Sequence, residues 1–426
     1  MTEPSASAPH APTPPSSAAL AAIAELKRGI VDLVSETELL SQLDCGRPLR
    51  VKAGFDPTRP DLHLGHVVLM NKLRQFQELG HTVVFIVGDF TAQVGDPTGR
   101  NKSRPPLSRE EILAGARTYA EQAFKVLSHE HVEVRYNSEW LEKLSPADFV
   151  KLAAKRTLDR TLERRDFRDR FEKSQPIFLH ELLYPLLQGY DSVVVDADIE
   201  LGGTDQLFNL NVGRDLMTAY GKRAQMVMTT PLLEGLDAKW VDGHVVGDKM
   251  SKSADNYVGV SEAPLEQFKK LMLVNDGVIW RYYDLLSAMK NEEIAELKRA
   301  TDAGELAPRE AQRRFAREIV TRFHSAFAAT EAETQYEHNR AGGFPADAPA
   351  FALVADPVKG TLWLPKALAE SKIAPSSSAG KNLVKNGGVT VNGERIRDEQ
   401  HQLLRGKQYD IVVGSKDRKY VRVTVE

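Results

Sequence analysis

Cysteine is nearly missing: Cys45 stands alone among 426 residues. Disulfide frameworks and thiolate zinc sites within one chain are thereby excluded. Long apolar runs are missing too, and no stretch approaches the ~20 residues of a membrane span. The opening MTEPSASAPHAPTPPSSAA has no basic region followed by an apolar one, so it does not read as a secretory signal. Residues 1–18 are expected to be a disordered extension, and the cytoplasm is the expected compartment. Neither G-x-x-x-x-G-K followed by Ser or Thr nor G-x-G-x-x-G occurs, so P-loop and dinucleotide-binding readings lack their fingerprints. An excess of positive charge is absent as well, the net value being −3. That charge is unevenly spread. Val358–Glu426 carries 13 Lys and Arg against 7 Asp and Glu, a balance of +6 that leaves −9 for the rest. A basic tail on an acidic body suits a polyanion.

What is present alternates between strand and helix patterns. After a first helix over Leu20–Leu43, LRVKAGF, HTVVFIVGDF and HVEVRYN read as buried strands. Between the last two, SREEILAGARTYAEQAFKVL reads as a helix opened by a capping box, Ser108 with Glu111. DSVVVDADIELGG and AQMVMTTPLL supply later strands. This order implies α/β architecture with a parallel sheet, whose ligands sit beyond the carboxyl ends of the strands. The expected fold is therefore a Rossmann-like parallel-sheet domain over residues 19–262, with a connective insertion. A helical domain over 263–345, a linker over 346–358 and a small α+β domain over 359–426 follow.

Two clusters stand out. In DPTRPDLHLGHVVLM, His63 and His66 lie three residues apart where a turn gives way to a helix, so both rings project from one face of its first turn. Helix starts favour anions, phosphate above all. In GDKMSKSADN, Lys249 and Lys252 flank Met-Ser in a loop suited to closing over phosphates. The two clusters lie nearly two hundred residues apart, as if to clamp one phosphate site from both sides. A third feature is LLYPLLQGYDS. If it is helical, Tyr184, Gln188 and Asp191 share one polar face between leucines.

HLGH followed by KMSKS resembles the motif pair of class I aminoacyl-tRNA synthetases. GFDPT, GDPTGR, YPLLQGYD and GGTDQ between them are similar to the tyrosyl branch of that family, from about Leu40 to the C-terminus. The resemblance implies activation of L-tyrosine by ATP and then its transfer to tRNA(Tyr). The amino-acid carboxylate is already a nucleophile, so this reaction needs alignment and stabilisation of spreading phosphate charge rather than an enzymic base. His63, His66, Lys249 and Lys252 suit that role, with Arg100, and Arg104 beside it, assisting the departing pyrophosphate. On the ATP side the resemblance places Asp56, Thr58, Gly65, Gly203, Asp205, Met250 and Ser251. Around tyrosine it places Asp191 on the phenol, Asp96, Tyr184 and Gln188 about the ammonium group, and Gln206 at the reacting carboxylate. Mg²⁺ would arrive with ATP. No dedicated metal cage and no tightly bound cofactor are expected. Lys52 departs from the family pattern, in which many members place a tyrosine two residues before the glycine of GFDPT. It could pair with Asp191 or turn away, and no substrate role is assigned to it.

The segment PKALAESKIAPSSSAGKNLVKNGGVTVNGERI resembles the S-four-like RNA-binding module. Lys372, Lys381, Lys385, Arg395 and Arg397 are its candidate RNA contacts, directed at phosphate and shape. The helical region is expected to approach the anticodon, and the resemblance implies a homodimer with no membrane or DNA partner. The nearest rival is the tryptophanyl enzyme, whose indole offers no phenolic proton to Asp191. The rival from another class is a non-catalytic RNA-binding protein using the tail alone.

Overall fold

The computed structural model describes residues 15–57, 62–98, 109–341, 343–345, 348–414 and 418–426. Thr58, Arg100, Arg104 and Ser108, all singled out above, lie outside the described residues. The chain divides into two compact units, Met1–Ala329 and Thr330–Glu426.

The first unit opens with helix α1 (Ser17–Lys27), strand β1 (Asp32–Val34) and helix α2 (Glu36–Leu43). The single helix expected over Leu20–Leu43 is thus broken. Gly29 takes a left-handed φ of +66°, and Ser35 accepts the Glu38 N–H to start a new helix. Between these two punctuators the chain pairs β1 antiparallel to the edge of a sheet.

That sheet continues with β2 (Arg50–Phe55), β3 (Thr82–Val87), β4 (Val132–Tyr136), β5 (Ile199–Gly203) and β6 (Met226–Thr230). Its order is β1-β6-β5-β2-β3-β4, and every pair except β1–β6 is parallel. Val83 to Val87 are all buried, as a central parallel strand covered on both faces requires. The chain steps from β2 outward to β3 and β4, then returns to place β5 and β6 on the other side of β2. The order therefore reverses between β2 and β5, and a crevice at such a switch point is where ligands settle.

Helix α3 (Leu64–Glu78) follows β2, α4 (Arg109–Ala123) precedes β4, α5 (Leu179–Val195) precedes β5 and α6 (Leu207–Ala219) follows it. Four short helices between Ser138 and Glu172 form the insertion. Here the reading of DSVVVDADIELGG as one strand is corrected. Its first five residues end α5, Asp196 closes that helix at φ +53°, and β5 begins only at Ile199. Val193 and Val195 are buried and Val194 is exposed, an alternation that a short strand shows equally well. Beyond β6 come a hairpin, β7 (Lys239–Val241) with β8 (His244–Val246), and helices α7 (Pro264–Leu271), α8 (Ile279–Leu286), α9 (Asn291–Asp302) and α10 (Pro308–Phe323). Helix α11 (Ala326–Arg340) begins in the first unit and continues into the second.

The second unit contains β9 (Ala350–Leu353), β10 (Thr361–Trp363), α12 (Leu364–Glu370), α13 (Ser377–Lys385), β11 (Val389–Val391), β12 (Glu394–Ile396), β13 (Gln402–Leu404), β14 (Gln408–Val413) and β15 (Lys419–Val425). Five strands form a sheet in the order β12-β11-β14-β15-β9 around an aliphatic core. The β11–β12 turn is Asn392-Gly393, with φ of 49° and 85°, the two positive values a tight hairpin demands. The stretch 346–358, read as linker, includes β9, whose backbone pairs parallel with β15.

Candidate active site

The paired histidines form the helix start itself. His63 is the N-cap of α3 and its Nδ1 accepts the Gly65 N–H at 3.1 Å. The Nδ1 of His66 reaches back to accept the His63 N–H at 3.2 Å. Imidazoles here do what Ser and Glu do in an ordinary capping box, which accounts for the three-residue spacing. With Nδ1 accepting, each neutral ring carries its proton on Nε2. Burial holds the His66 pKa down to about 4, and the charge of Lys252 adds to this. A Cβ on Gly65 would lie 2.9 Å from the His63 ring, so glycine is required between them.

The lysine loop comes to the same place. Leu64 donates to the Val258 carbonyl at 3.0 Å and Val260 to the Leu62 carbonyl at 2.9 Å, laying the segment after the loop antiparallel to the entry of α3. Met250 is buried, and its N–H bonds the Leu233 carbonyl at 2.7 Å. Ser251 caps the turn Lys252–Ala254 and donates its N–H to Asn256 Oδ1 at 2.8 Å. Lys252 lies 5.7 Å from the Tyr257 ring centroid. The charge of Lys249 acts on Asp205, whose pKa burial raises and that charge opposes.

A cavity of about 310 Å³ opens at the carboxyl ends of the strands. Asp56, Gly65, His66, Asp96, Tyr184, Gln188, Asp191, Gly203, Asp205 and Gln206 line it, together with Thr91, Tyr119 and Asn137. At its closed end Asp191, 3% exposed, accepts the Trp140 Nε1–H at 2.8 Å and the Asn137 amide at 3.3 Å. Asp56 accepts the Thr91 hydroxyl at 2.8 Å and the Tyr184 hydroxyl at 3.0 Å. Burial pushes both carboxyls up to about 7, and burial first, then Asp56, raises Tyr184 well above a free phenol. Asp56, assigned from sequence to the ATP side, is thus tied to Tyr184 of the polar face.

The opposite wall is one chain of amides. Gln206 donates to Asp96 at 2.8 Å, and Asn209 donates to Gln206 at 2.9 Å and to Gln188 at 3.1 Å. Arg164, 5% exposed, bonds Thr98 at 2.6 Å and lies 3.7 Å from Asp96. Sequence reasoning missed Thr91, Asn137, Trp140, Arg164 and Asn209. Asn137 immediately follows β4, where a polar residue at a strand's carboxyl end is itself a signal. Trp140 and Arg164 come from the insertion, whose path no periodicity reveals. Lys52 turns away from the cavity and pairs with Glu200 at 2.8 Å. Among the described residues no group of three His, Cys, Asp or Glu side chains converges as a metal cage.

In the second unit Lys381 and Lys385, one turn apart on α13, share Glu399 at 3.1 and 3.7 Å. Arg397 and Arg395 flank Gly387 just beyond them, where a Cβ would lie 3.1 and 3.7 Å from their side chains. Lys372 is exposed in the turn after α12, at φ +59°.

A switch-point pocket bearing a histidine-capped helix and a lysine loop marks the class I synthetases. The family model for tRNA synthetases class I (W and Y) matches residues 44–338, and that for the S4 domain matches residues 362–408. The chain belongs to this class I family, whose members activate an amino acid with ATP and charge tRNA. Its relatives are specific: the tyrosine--tRNA ligase of Thiobacillus denitrificans is 49% identical across 95% of this chain and 99% of that one. The tyrosine--tRNA ligase of Oleidesulfovibrio alaskensis is 48% identical across 93% and 97%. Among solved folds, the Aspergillus nidulans mitochondrial tyrosyl-tRNA synthetase superposes with a TM-score of 0.62 at 21% identity, over 75% of this chain and 94% of that one. The Archaeoglobus fulgidus tyrosyl-tRNA synthetase complexed with L-tyrosine gives 0.57 at 21%, over 74% and 99%.

Proposed function

We propose that the chain joins L-tyrosine to tRNA(Tyr) in two steps. The tyrosine carboxylate attacks the α-phosphorus of ATP, forming the acyl–phosphate bond of tyrosyl-adenylate as the bond to pyrophosphate breaks. A ribose hydroxyl at the 3′ end of the tRNA then attacks the carbonyl and AMP leaves. The observation that carries this reading is Asp191, a buried carboxylate oriented by Trp140 and Asn137 at the closed end of the cavity. A site built to bond a hydroxyl leaves a buried group unpaired when phenylalanine enters, the ground on which such enzymes discriminate.

At the phosphate end, the Nε2–H groups of His63 and His66 donate to ATP oxygens, and Lys249, Lys252 and Arg100 stabilise charge as pyrophosphate departs. Backbone at Gly65, Gly203, Met250 and Ser251 approaches the nucleotide, Asp205 takes the ribose, and Asp56 and Thr58 complete that side. Asp96, Tyr184 and Gln188 surround the ammonium group, and Gln206 meets the carboxylate. Mg²⁺ enters with ATP and supplies charge neutralisation on its phosphates. The helical region 263–345 approaches the anticodon, and the basic face of 359–426 takes tRNA phosphates. The working form is a cytoplasmic homodimer. The test is exchange of labelled pyrophosphate into ATP without tRNA, with tyrosine, phenylalanine and tryptophan in parallel. Exchange with tyrosine alone is expected. Exchange with tryptophan would overturn the assignment of Asp191, and none with any of the three would leave only RNA binding.

A further inference from the structure

Behind the closed end of the cavity lies a polar cluster built on an ion pair, Lys52 with Glu200, to which the proposed reaction gives no part. Lys52 and Glu200, from adjacent strands β2 and β5, are both 0% exposed and pair at 2.8 Å. The Lys52 ammonium spends its two other hydrogen bonds on α5, donating to the Gln188 carbonyl and to Ser192 Oγ, each at 2.8 Å. Glu200 answers from the sheet. Its Oε1 accepts the Gln188 amide at 3.3 Å, and its Oε2 accepts Ser192 Oγ at 3.0 Å and the Gln225 amide. Gly213 on α6 leaves the space: a Cβ there would lie 2.6 Å from Gln225 Nε2 and 3.1 Å from Glu200 Oε2. Every donor of the ammonium is therefore used, and two land on residues bracketing Asp191.

We propose that the Lys52–Glu200 pair is a positioning element for amino-acid selection, clamping the turn of α5 that carries Gln188 and Asp191 against the sheet. This rests on the tyrosine reading above. A buried ion pair contributes little net stability but fixes geometry closely, because its hydrogen bonds have no solvent substitute. After burial, the Lys52 charge is the largest influence on Asp191, and it favours the carboxylate. Lys52 does not line the cavity. It acts through α5 rather than on substrate.

The test is a double variant, Lys52→Met with Glu200→Gln, which removes both charges at nearly constant volume. Its folding is checked by thermal unfolding, and pyrophosphate exchange is run beside the parent protein. The KM for tyrosine is expected to rise about tenfold and the preference for tyrosine over phenylalanine to fall by about the same factor. The KM for ATP should change by less than about twofold. Should the double variant fail to fold, Ser192→Ala, which takes one acceptor from the Lys52 ammonium and leaves the ion pair in place, is expected to raise the tyrosine KM about threefold. An unchanged tyrosine KM and unchanged discrimination in a folded variant would overturn the clamp while leaving the tyrosine reading intact. A loss confined to kcat would overturn it equally. A parent protein that exchanges nothing with tyrosine would bring down both.

Discussion

The pocket of the first unit and the basic face of the second are built by opposite means. In the pocket, residues from five strand ends and helix α5 converge, nearly every polar atom named has a protein partner, and two carboxyls are held far above their usual range. On the basic face, a helix and a hairpin adjacent in sequence present cations that are largely exposed, two of which share Glu399. Burial makes each hydrogen bond in the pocket costly to leave unmade, so selection there turns on single atoms. Exposed cations sum their charges and are screened by salt, so on the proposed reading the second surface would meet a polyanion's backbone without reading its sequence.

That contrast sets the order of expected effects. Replacing Lys249 or Lys252 by alanine should lower the rate of tyrosine-dependent exchange by about 10²–10³, as loss of one charge-stabilising donor does. Filter binding of tRNA should be nearly unchanged. Loss of tRNA affinity instead would merge the two surfaces. Asp191→Asn should lower kcat/KM for tyrosine roughly a hundredfold and erode discrimination against phenylalanine, measured by the same exchange assay.

Ligand-free stability should move the other way. The Asp191 carboxyl titrates near 7 in the fold against 3.8 as the ordinary value. A raised carboxyl pKa means that the folded state holds its proton longer. Its contribution is complete below about pH 4 and is lost as pH rises toward 7. Asparagine cannot ionise, so the variant should be more stable than the parent at pH 8, by an amount on the order of 2–4 kcal/mol in urea unfolding. Parent-level stability at pH 8 would mean that Asp191 is not desolvated.

The acid side of activity follows from the same groups. Asp191 and Asp56, both near 7, accept from the phenol and from Tyr184 most strongly when ionised. The KM for tyrosine should therefore rise by up to about tenfold per unit as pH falls below 7. A profile flat from pH 8 to 5.5 would contradict this. The smallest effect belongs to the open surface. Lys381→Ala with Lys385→Ala should weaken tRNA several-fold and reduce the slope of log affinity against log salt by about 1–2, leaving exchange untouched.

The same contrast decides what the sequence discloses. The three-residue spacing in HLGH is legible because it is local, and the fold turns it into the capping box of α3. The sheet, its parallel sense and the polar face of Tyr184, Gln188 and Asp191 follow from periodicity. Trp140 and Asn137 do not, because what makes them matter is a hydrogen bond across some fifty residues of chain to a buried oxygen. Propensity misled twice for identifiable reasons: the valines ending α5 alternate as a strand does, and Gly29 with Ser35 outweighs the helical pattern around them. Lys52 was ambiguous because its partner, Glu200, sits on another strand 148 residues away.

The capping box at the start of α3 has a chemical corollary. The nitrogens that terminate the helix are the Nδ1 atoms of His63 and His66, so the hydrogen bonds that define the first turn also choose each ring's tautomer and aim. A molecule in which that turn frays loses more than local order, since both rings are then free to rotate and to exchange their protons between nitrogens. On the proposed reading, in which both rings meet ATP, the fraction of molecules ready to do so is bounded by the fraction whose first helical turn is closed, a folding equilibrium of four residues.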